Sequence, residues 1–194
     1  MCSYEDYLEC QKSKVNKLIS ENVNGLNWEL KNLKKAKTKH INTLLKYVPV
    51  EEVEKSGVLV VGARFGSDIE LLEKAGYKDV EGIDIYDPPL HPRIQYCDAH
   101  ELSKLKKQYS LIYLYHVMEH LLYPTKVIKE IRKSLLFGGI VSVVVPPLNR
   151  KKAIDAQTEF HSYRELQYAF VHNKFSIIYT KFVSNTMQTA FRKK

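Results

Sequence analysis

The sequence has few cysteines and no long apolar segment. Its three cysteines, Cys2, Cys10 and Cys97, form no C-x-x-C pair. An odd number of unpaired cysteines argues against a disulfide framework and against a structural zinc site. No run of about 18 apolar residues is present, which argues against a transmembrane helix. The acidic, polar start MCSYEDYLEC also differs from a secretory signal. We therefore expect a cytoplasmic protein that does not enter a membrane.

Two common nucleotide-binding motifs are also missing. A dinucleotide fingerprint counted from Gly62 would need glycine at the positions that Arg64 and Ser67 occupy. The phosphate-binding loop G-x-x-x-x-G-K-[ST] does not occur anywhere in the chain. Both absences disfavour a pyrophosphate cradle.

Acidic residues are scarce in two parts of a chain whose net charge is +8. Six lysines and no carboxylate lie between Leu30 and Val50, and nine basic residues face three acids over 150–194. Nucleic acid, a phosphorylated substrate or a membrane surface would suit such stretches. We favour solvated helix faces instead, because no aromatic RNA-binding signature and no low-complexity segment accompany the charge.

The first 50 residues read as a helical extension. In LNWELKNLKKAKTKHINTLLKYV the apolar positions recur three or four residues apart, which predicts one buried stripe on a long helix. Pro49 discourages further helix. We expect 1–50 to form a lid with the lysines from Lys31 to Lys46 in water, and 51–194 to form the main domain.

After Gly57 the pattern changes to short apolar runs that alternate with helical stretches. The doublet Gly138-Gly139 is expected to end the fourth-strand helix TKVIKEIRKSLL. Continuous apolar strands indicate a mostly parallel sheet that is covered on both faces. We predict a Rossmann-like α/β fold with seven strands. The expected strands are GVLVVG, VEGIDIY, RIQYC, YSLIYLY and IVSVVV, followed by the closing pair FSIIYTKFV and TMQTAFR.

Ligands of such sheets bind beyond the carboxyl ends of the strands. The first strand is followed by GARFGSD, in which Gly62 and Gly66 permit a tight turn. The second strand ends at Asp84, where a carboxylate can accept hydrogen bonds from ribose hydroxyls. Asp98-Ala99 follows the third strand, and Tyr115-His116 follows the fourth.

These segments together resemble the class I S-adenosylmethionine-dependent methyltransferases over residues 57–194. The series VLVVGARFGSD, GIDIYD and YCDAHEL is similar to their first three motifs, and the later strands and helices follow in the same order. The resemblance implies that S-adenosyl-L-methionine is the cofactor. It implies cofactor contacts from Gly62, Ala63, Arg64, Gly66, Asp84, Ile85, Asp98, Ala99, Tyr115 and His116.

Two positions depart from the family pattern. Val60 stands where the family usually has its first-motif carboxylate, and Arg64 replaces the middle glycine. An arginine here either pairs with the carboxylate of the cofactor or faces the solvent.

The segment YLYHVMEHLLYP contains a second motif, H-x-x-E-H, formed by His116, Glu119 and His120. Some zinc peptidases carry this spacing on a helix. Here it follows a strand, and the other histidines show no pattern for a third ligand. We therefore expect a chance match and no metal.

The resemblance favours a small-molecule or glycan O-methyltransferase. His161, in TEFHSYREL, is the candidate general base, and His116 is the competitor. The basic residues Arg150, Lys151 and Lys152 would suit an anionic acceptor.

Two other functions remain open. The basic N-terminal region favours a nucleic-acid methyltransferase, whereas the absence of an N/D-P-P-Y/F motif opposes it. The departures at Val60 and Arg64 would suit a non-catalytic cofactor-binding or scaffold protein. The sequence gives no oligomeric state.

Overall fold

The helices and strands follow the predicted alternation. The computed structural model describes residues 3–21, 26–146, 160 and 162–194. The helices are α1 (Tyr4–Glu21), α2 (Leu26–Tyr47), α3 (Ser67–Lys74), α4 (Pro124–Ser134) and α5 (Tyr163–His172). The strands are β1 (Val58–Val61), β2 (Val80–Asp84), β3 (Ile94–Tyr96), β4 (Tyr109–Tyr115), β5 (Leu135–Val145), β6 (Phe175–Val183) and β7 (Thr186–Lys193). Short 3₁₀ helices span Val50–Glu52, Ala99–Leu105 and Met118–His120.

The strands form one sheet in the order β3-β2-β1-β4-β5-β7-β6. Strands β1 to β5 are parallel to one another, and β7 is antiparallel to both β5 and β6. The predicted Rossmann-like, mostly parallel seven-stranded fold is confirmed. Because β1 to β5 are parallel, their carboxyl ends meet at one edge of the sheet.

Both faces of the sheet are covered, which explains the continuous apolar runs. Along β1, Val58 and Val60 pack with α2 and α3, whereas Leu59 and Val61 pack with α4 and α5. The apolar stripe of α2 supplies Ile41 and Leu44 to the first of these two cores, and Val48 joins them just after the helix ends. Among the described residues, no helix combines the length and the apolar character that crossing a membrane requires.

The glycine doublet does not end helix α4, so that prediction was wrong. Helix α4 stops at Ser134, and Leu135 already pairs with Tyr109 as the first residue of β5. Gly138, with a φ of +75°, and Gly139 lie within β5, where its register against β4 shifts. Pairing with the neighbouring strand therefore overrides the local signal for a helix end.

The expectation that the lysines of α2 lie in water fails at one position. Lys34 is exposed and pairs with Glu70 across 3.1 Å. Lys37, one turn later, is only 8% exposed, because its ammonium pairs with the buried carboxylate of Asp68 in α3.

Candidate active site

A cavity of about 370 Å³ lies at the edge where the parallel strands end. Nine of the ten expected cofactor contacts line it, which are Gly62, Ala63, Arg64, Asp84, Ile85, Asp98, Ala99, Tyr115 and His116. Gly66 is not part of the lining and instead caps helix α3. The size is typical of a small-ligand site.

The loop after β1 keeps its turn although it has lost one glycine. Gly62, Arg64 and Gly66 all have left-handed backbones, with φ values of +70°, +44° and +80°. A side chain in this conformation costs about 1–2 kcal/mol. The backbone N–H of Arg64 donates to Oδ2 of Asp84 across 2.9 Å, which fixes the conformation. The arginine therefore occupies a left-handed position that a glycine would adopt without this cost.

Asp84 ends β2 and is 9% exposed. Besides the bond from Arg64, its Oδ1 accepts the N–H of Tyr86 across 3.1 Å. These two backbone donors hold the carboxylate in the cavity wall, at the position that the sequence predicts for binding ribose hydroxyls.

Asp98 begins the 3₁₀ helix that follows β3 and lies beside a buried histidine. Its Oδ1 accepts the backbone N–H of His100 across 2.8 Å and lies 2.7 Å from Nδ1 of the same residue. The N–H of Tyr123 donates to Nε2 of His100, which places the proton of the neutral ring on Nδ1. Burial opposes ionisation of Asp98, but the two hydrogen bonds from His100 outweigh it and lower the pKa of the carboxyl.

Helix α1 reaches this carboxylate from outside the sheet. The hydroxyl of Tyr4 donates to Oδ2 of Asp98, and its ring contacts those of Tyr7, His100 and Tyr123. The N-terminal extension is thereby attached to the part of the cavity wall that Asp98 forms.

Three aromatic rings lie in a row at the end of β4. His40 of α2 meets Tyr115 edge to face, and Tyr115 stacks on His116 with ring centres 4.4 Å apart. Burial lowers the pKa of His116 to about 4, with further lowering from the charges of His40, His120 and Lys37. The ring is thus neutral at pH 7. Its Nε2 is buried and makes no hydrogen bond to any residue that the structure describes.

The H-x-x-E-H segment does not form the helix that a peptidase motif requires. His116 follows β4 with a φ of +54°, and Met118–His120 is a single 3₁₀ turn. Nδ1 of His116 and Nε2 of His120 each lie 4.0 Å from Oε1 of Glu119. In the described part of the chain, no three His, Cys, Asp or Glu side chains form a group that could hold a metal ion.

The sequence interpretation missed the site residues that the two N-terminal helices supply. Tyr7, Gln11 and Lys12 of α1, with Leu33 and Lys37 of α2, line the same cavity as Asp84 and Asp98. The sequence predicted that this region forms a lid but named none of the residues that face the cavity. A residue that lines a cavity has no recognisable local pattern in the sequence of a helix. His161 and the basic residues Arg150, Lys151 and Lys152 lie outside the described residues.

The strand order, with carboxylates after β2 and β3, defines the class as a Rossmann-like methyltransferase fold. Three solved structures share it at low sequence identity. Magnesium protoporphyrin IX methyltransferase (ChlM) from Synechocystis PCC 6803, with bound S-adenosylmethionine, is 16% identical. Its TM-score is 0.66, over 97% of this chain and 94% of that one. The 1,6-didemethyltoxoflavin-N1-methyltransferase of Burkholderia thailandensis is 15% identical, with a TM-score of 0.73 over 100% and 92% of the two chains.

The third structure is the ribosomal protein L11 methylase of Lactobacillus delbrueckii subsp. bulgaricus. It is 18% identical, with a TM-score of 0.60 over 81% of this chain and 79% of that one. No curated protein sequence matches the chain.

A family model described as a methyltransferase domain matches residues 31–180. The chain belongs to this family, and it is an S-adenosylmethionine-dependent methyltransferase. The described cavity fits the cofactor, because it combines two held carboxylates with a buried ring nitrogen of His116 that has no partner among the described residues. When bound, S-adenosyl-L-methionine supplies an electrophilic methyl group.

Proposed function

We propose that the enzyme methylates an oxygen of a small molecule, sugar or glycan. The observation that carries this proposal is the cover that α1 and α2 place over the cavity, with Tyr7, Leu33 and Lys37 in its wall. A site that two helices wall off beside the sheet edge suits a small acceptor better than an extended polymer. Two of the similar structures carry small-molecule names, magnesium protoporphyrin IX and 1,6-didemethyltoxoflavin, which supports a small-molecule acceptor.

The proposal includes a division of labour within the chain. Residues 1–50 would cover the acceptor and the cofactor, and residues 51–194 would carry the sheet and the carboxylates. The contact between Tyr4 and Asp98 and the pairing of Lys37 with Asp68 support this division, since both join the cover to the sheet edge. The unpaired thiols of Cys10 and Cys97 suit a reducing compartment, and we extend the proposal to a cytoplasmic location.

The acceptor needs to be positioned, kept from water and, for a hydroxyl, deprotonated. Neutral His116 can accept a hydrogen bond through Nε2. A pKa of about 4 makes it a weak base at pH 7, which supports a contact role. We therefore assign the base to His161, because an unperturbed imidazole, with a pKa near 6.5, can remove a proton at neutral pH. The basic run Arg150–Lys152 supports an anionic acceptor.

The experiment begins with a screen of sugars and small hydroxylated metabolites, with and without acidic groups, for release of S-adenosylhomocysteine. With the acceptor found, His161→Ala should retain cofactor affinity and lose about 100-fold or more in turnover. His116→Ala should weaken cofactor binding instead.

The control for these variants is His172→Ala, because His172 is exposed at the end of α5, away from the cavity. It should leave both quantities unchanged. Normal turnover of the His161 variant would reject the assigned base, and turnover with proteins or nucleic acids alone would reject the small-molecule acceptor.

A further inference from the structure

Lys37 is a buried cation in the wall of the cavity. Its ammonium donates to Oδ2 of Asp68 across 2.5 Å and to Oγ of Ser67 across 2.9 Å. It also lies 5.3 Å from the centre of the Tyr115 ring. Burying a lysine is unfavourable without such partners. The structure therefore fixes this cation in one place rather than leaving it in solvent.

Two hydrogen-bond donors remain at this point after the internal bonds are counted. An ammonium has three N–H donors, and hydrogen bonds to the described residues use two of those of Lys37. The hydroxyl of Ser67 accepts from Lys37, so its own proton can be donated outward. Both residues line the cavity. Two adjacent donors, one of them charged, match the two oxygens of a carboxylate.

The order of the strands indicates which carboxylate of a ligand these two donors would bind. Asp98 follows β3 and Asp84 follows β2, so the adenosine end of the cofactor belongs to that side of the sheet edge. The next strands in the sheet are β1 and β4. Ser67 comes just after the loop that follows β1, and Tyr115, beneath Lys37, ends β4. The remaining, amino-acid end of the cofactor therefore extends toward Lys37.

Arg64 was the other candidate for this role. It lines the same cavity, but its side chain is exposed and forms no ion pair within the described residues. An exposed arginine must lose side-chain freedom to bind, whereas Lys37 is already held by Asp68. The contrast in burial favours Lys37.

We propose that Lys37 and Ser67 bind the carboxylate of S-adenosylmethionine, and that Asp68 is the positioning residue that holds Lys37 in place. The inference deepens the cofactor site and rests on the methyltransferase assignment. It moves the role of carboxylate partner from the glycine-rich loop to a helix of the N-terminal extension.

The test compares two ligands that differ only in this group. Isothermal titration calorimetry would measure the affinity of S-adenosylmethionine and of its decarboxylated form. The wild-type protein should prefer the carboxylate form by at least about tenfold. Lys37→Met should remove the preference, by weakening the carboxylate form alone. Lys34→Met, which removes an exposed lysine one turn earlier on the same helix, is the matched control and should keep it. Arg64→Met tests the competing residue and should also keep the preference.

Lys37→Met leaves Asp68 buried without its cation and can destabilise the fold. The double variant Lys37→Met/Asp68→Asn removes both charges, and it should show the same lost preference with a normal melting curve. Lys37→Arg should restore part of the preference.

Three results would overturn the proposal. In the first, Lys37→Met lowers the affinity for both ligands equally. In the second, Arg64→Met loses the preference for the carboxylate form and Lys37→Met keeps it. The third is unchanged affinity for both ligands with a raised KM for an acidic acceptor, which would assign Lys37 to the acceptor. Failure of the wild-type protein to bind either ligand would instead contradict the cofactor assignment itself.

Discussion

Gly62 allows a quantitative test of the loop that follows β1. Its φ is +70°, and a Cβ added there would lie 2.6 Å from Cγ2 of Val117. Gly62→Ala therefore has two costs. The left-handed backbone costs an alanine about 1–2 kcal/mol, and forced packing against Val117 adds about 1–3 kcal/mol. We expect the free energy of unfolding to fall by about 2–5 kcal/mol.

Gly138 separates these two costs. Its φ is +75°, nearly the same, but apart from its two chain neighbours no atom of the described residues lies within 4 Å of its added Cβ. Gly138→Ala should thus lose only about 1–2 kcal/mol. Introducing Gly62→Ala into a Val117→Ala background should also lose only about that amount, because the clash is gone. Urea unfolding followed by circular dichroism of these variants and of the Val117→Ala background would give all three losses. Equal losses for Gly62→Ala and Gly138→Ala would refute the clash.

Two further predictions concern the site. Saturation with S-adenosylmethionine at about 100 times its Kd should stabilise the protein by about 2.7 kcal/mol. Asp84→Ala should remove most of the rise in melting temperature that this ligand causes, whereas Glu54→Ala, which removes an exposed carboxylate, should keep it. A full rise in the Asp84 variant would contradict a role for Asp84 in binding the cofactor. The pKa of His116 is lowered from 6.5 to about 4, so the unfolded state binds the proton first and this residue makes stability rise with pH between about 4 and 6.5. Asparagine tolerates the left-handed backbone, so His116→Asn should reduce this dependence of the free energy of unfolding on pH, measured by urea unfolding at several pH values. An unchanged dependence on pH would contradict burial of the neutral ring.

The sequence could predict the sheet and the carboxylates at its edge because both depend on local signals. Strands β1 and β4 are continuous apolar runs, and this is the usual sequence pattern of a parallel strand that is buried on both faces. Once the strands are known, the residue after each strand is known too. Asp84 and Asp98 follow from that rule, and the structure places both in one cavity.

The contacts of the N-terminal helices could not be predicted in the same way, because their partners are distant in the sequence. Lys37 reads as one of six similar lysines, and its burial depends on Asp68, 31 residues later. Tyr4 meets Asp98 across 94 residues. The error at Gly138 has a related cause, since pairing of Leu135 with Tyr109 of β4 decides where β5 begins. Non-local pairing overrode local propensity in each of these cases.

The hydrogen bonds of the two carboxylates limit how many ligand groups each can accept. A carboxylate offers about four acceptor sites. Two backbone N–H groups use two of those on Asp84, which leaves two. His100 uses two of those on Asp98 and Tyr4 uses a third, which leaves one. Asp84 can thus accept both hydroxyls of a vicinal diol, whereas Asp98 can accept a single N–H. A ribose beside an adenine amino group presents this same count of donors, two followed by one.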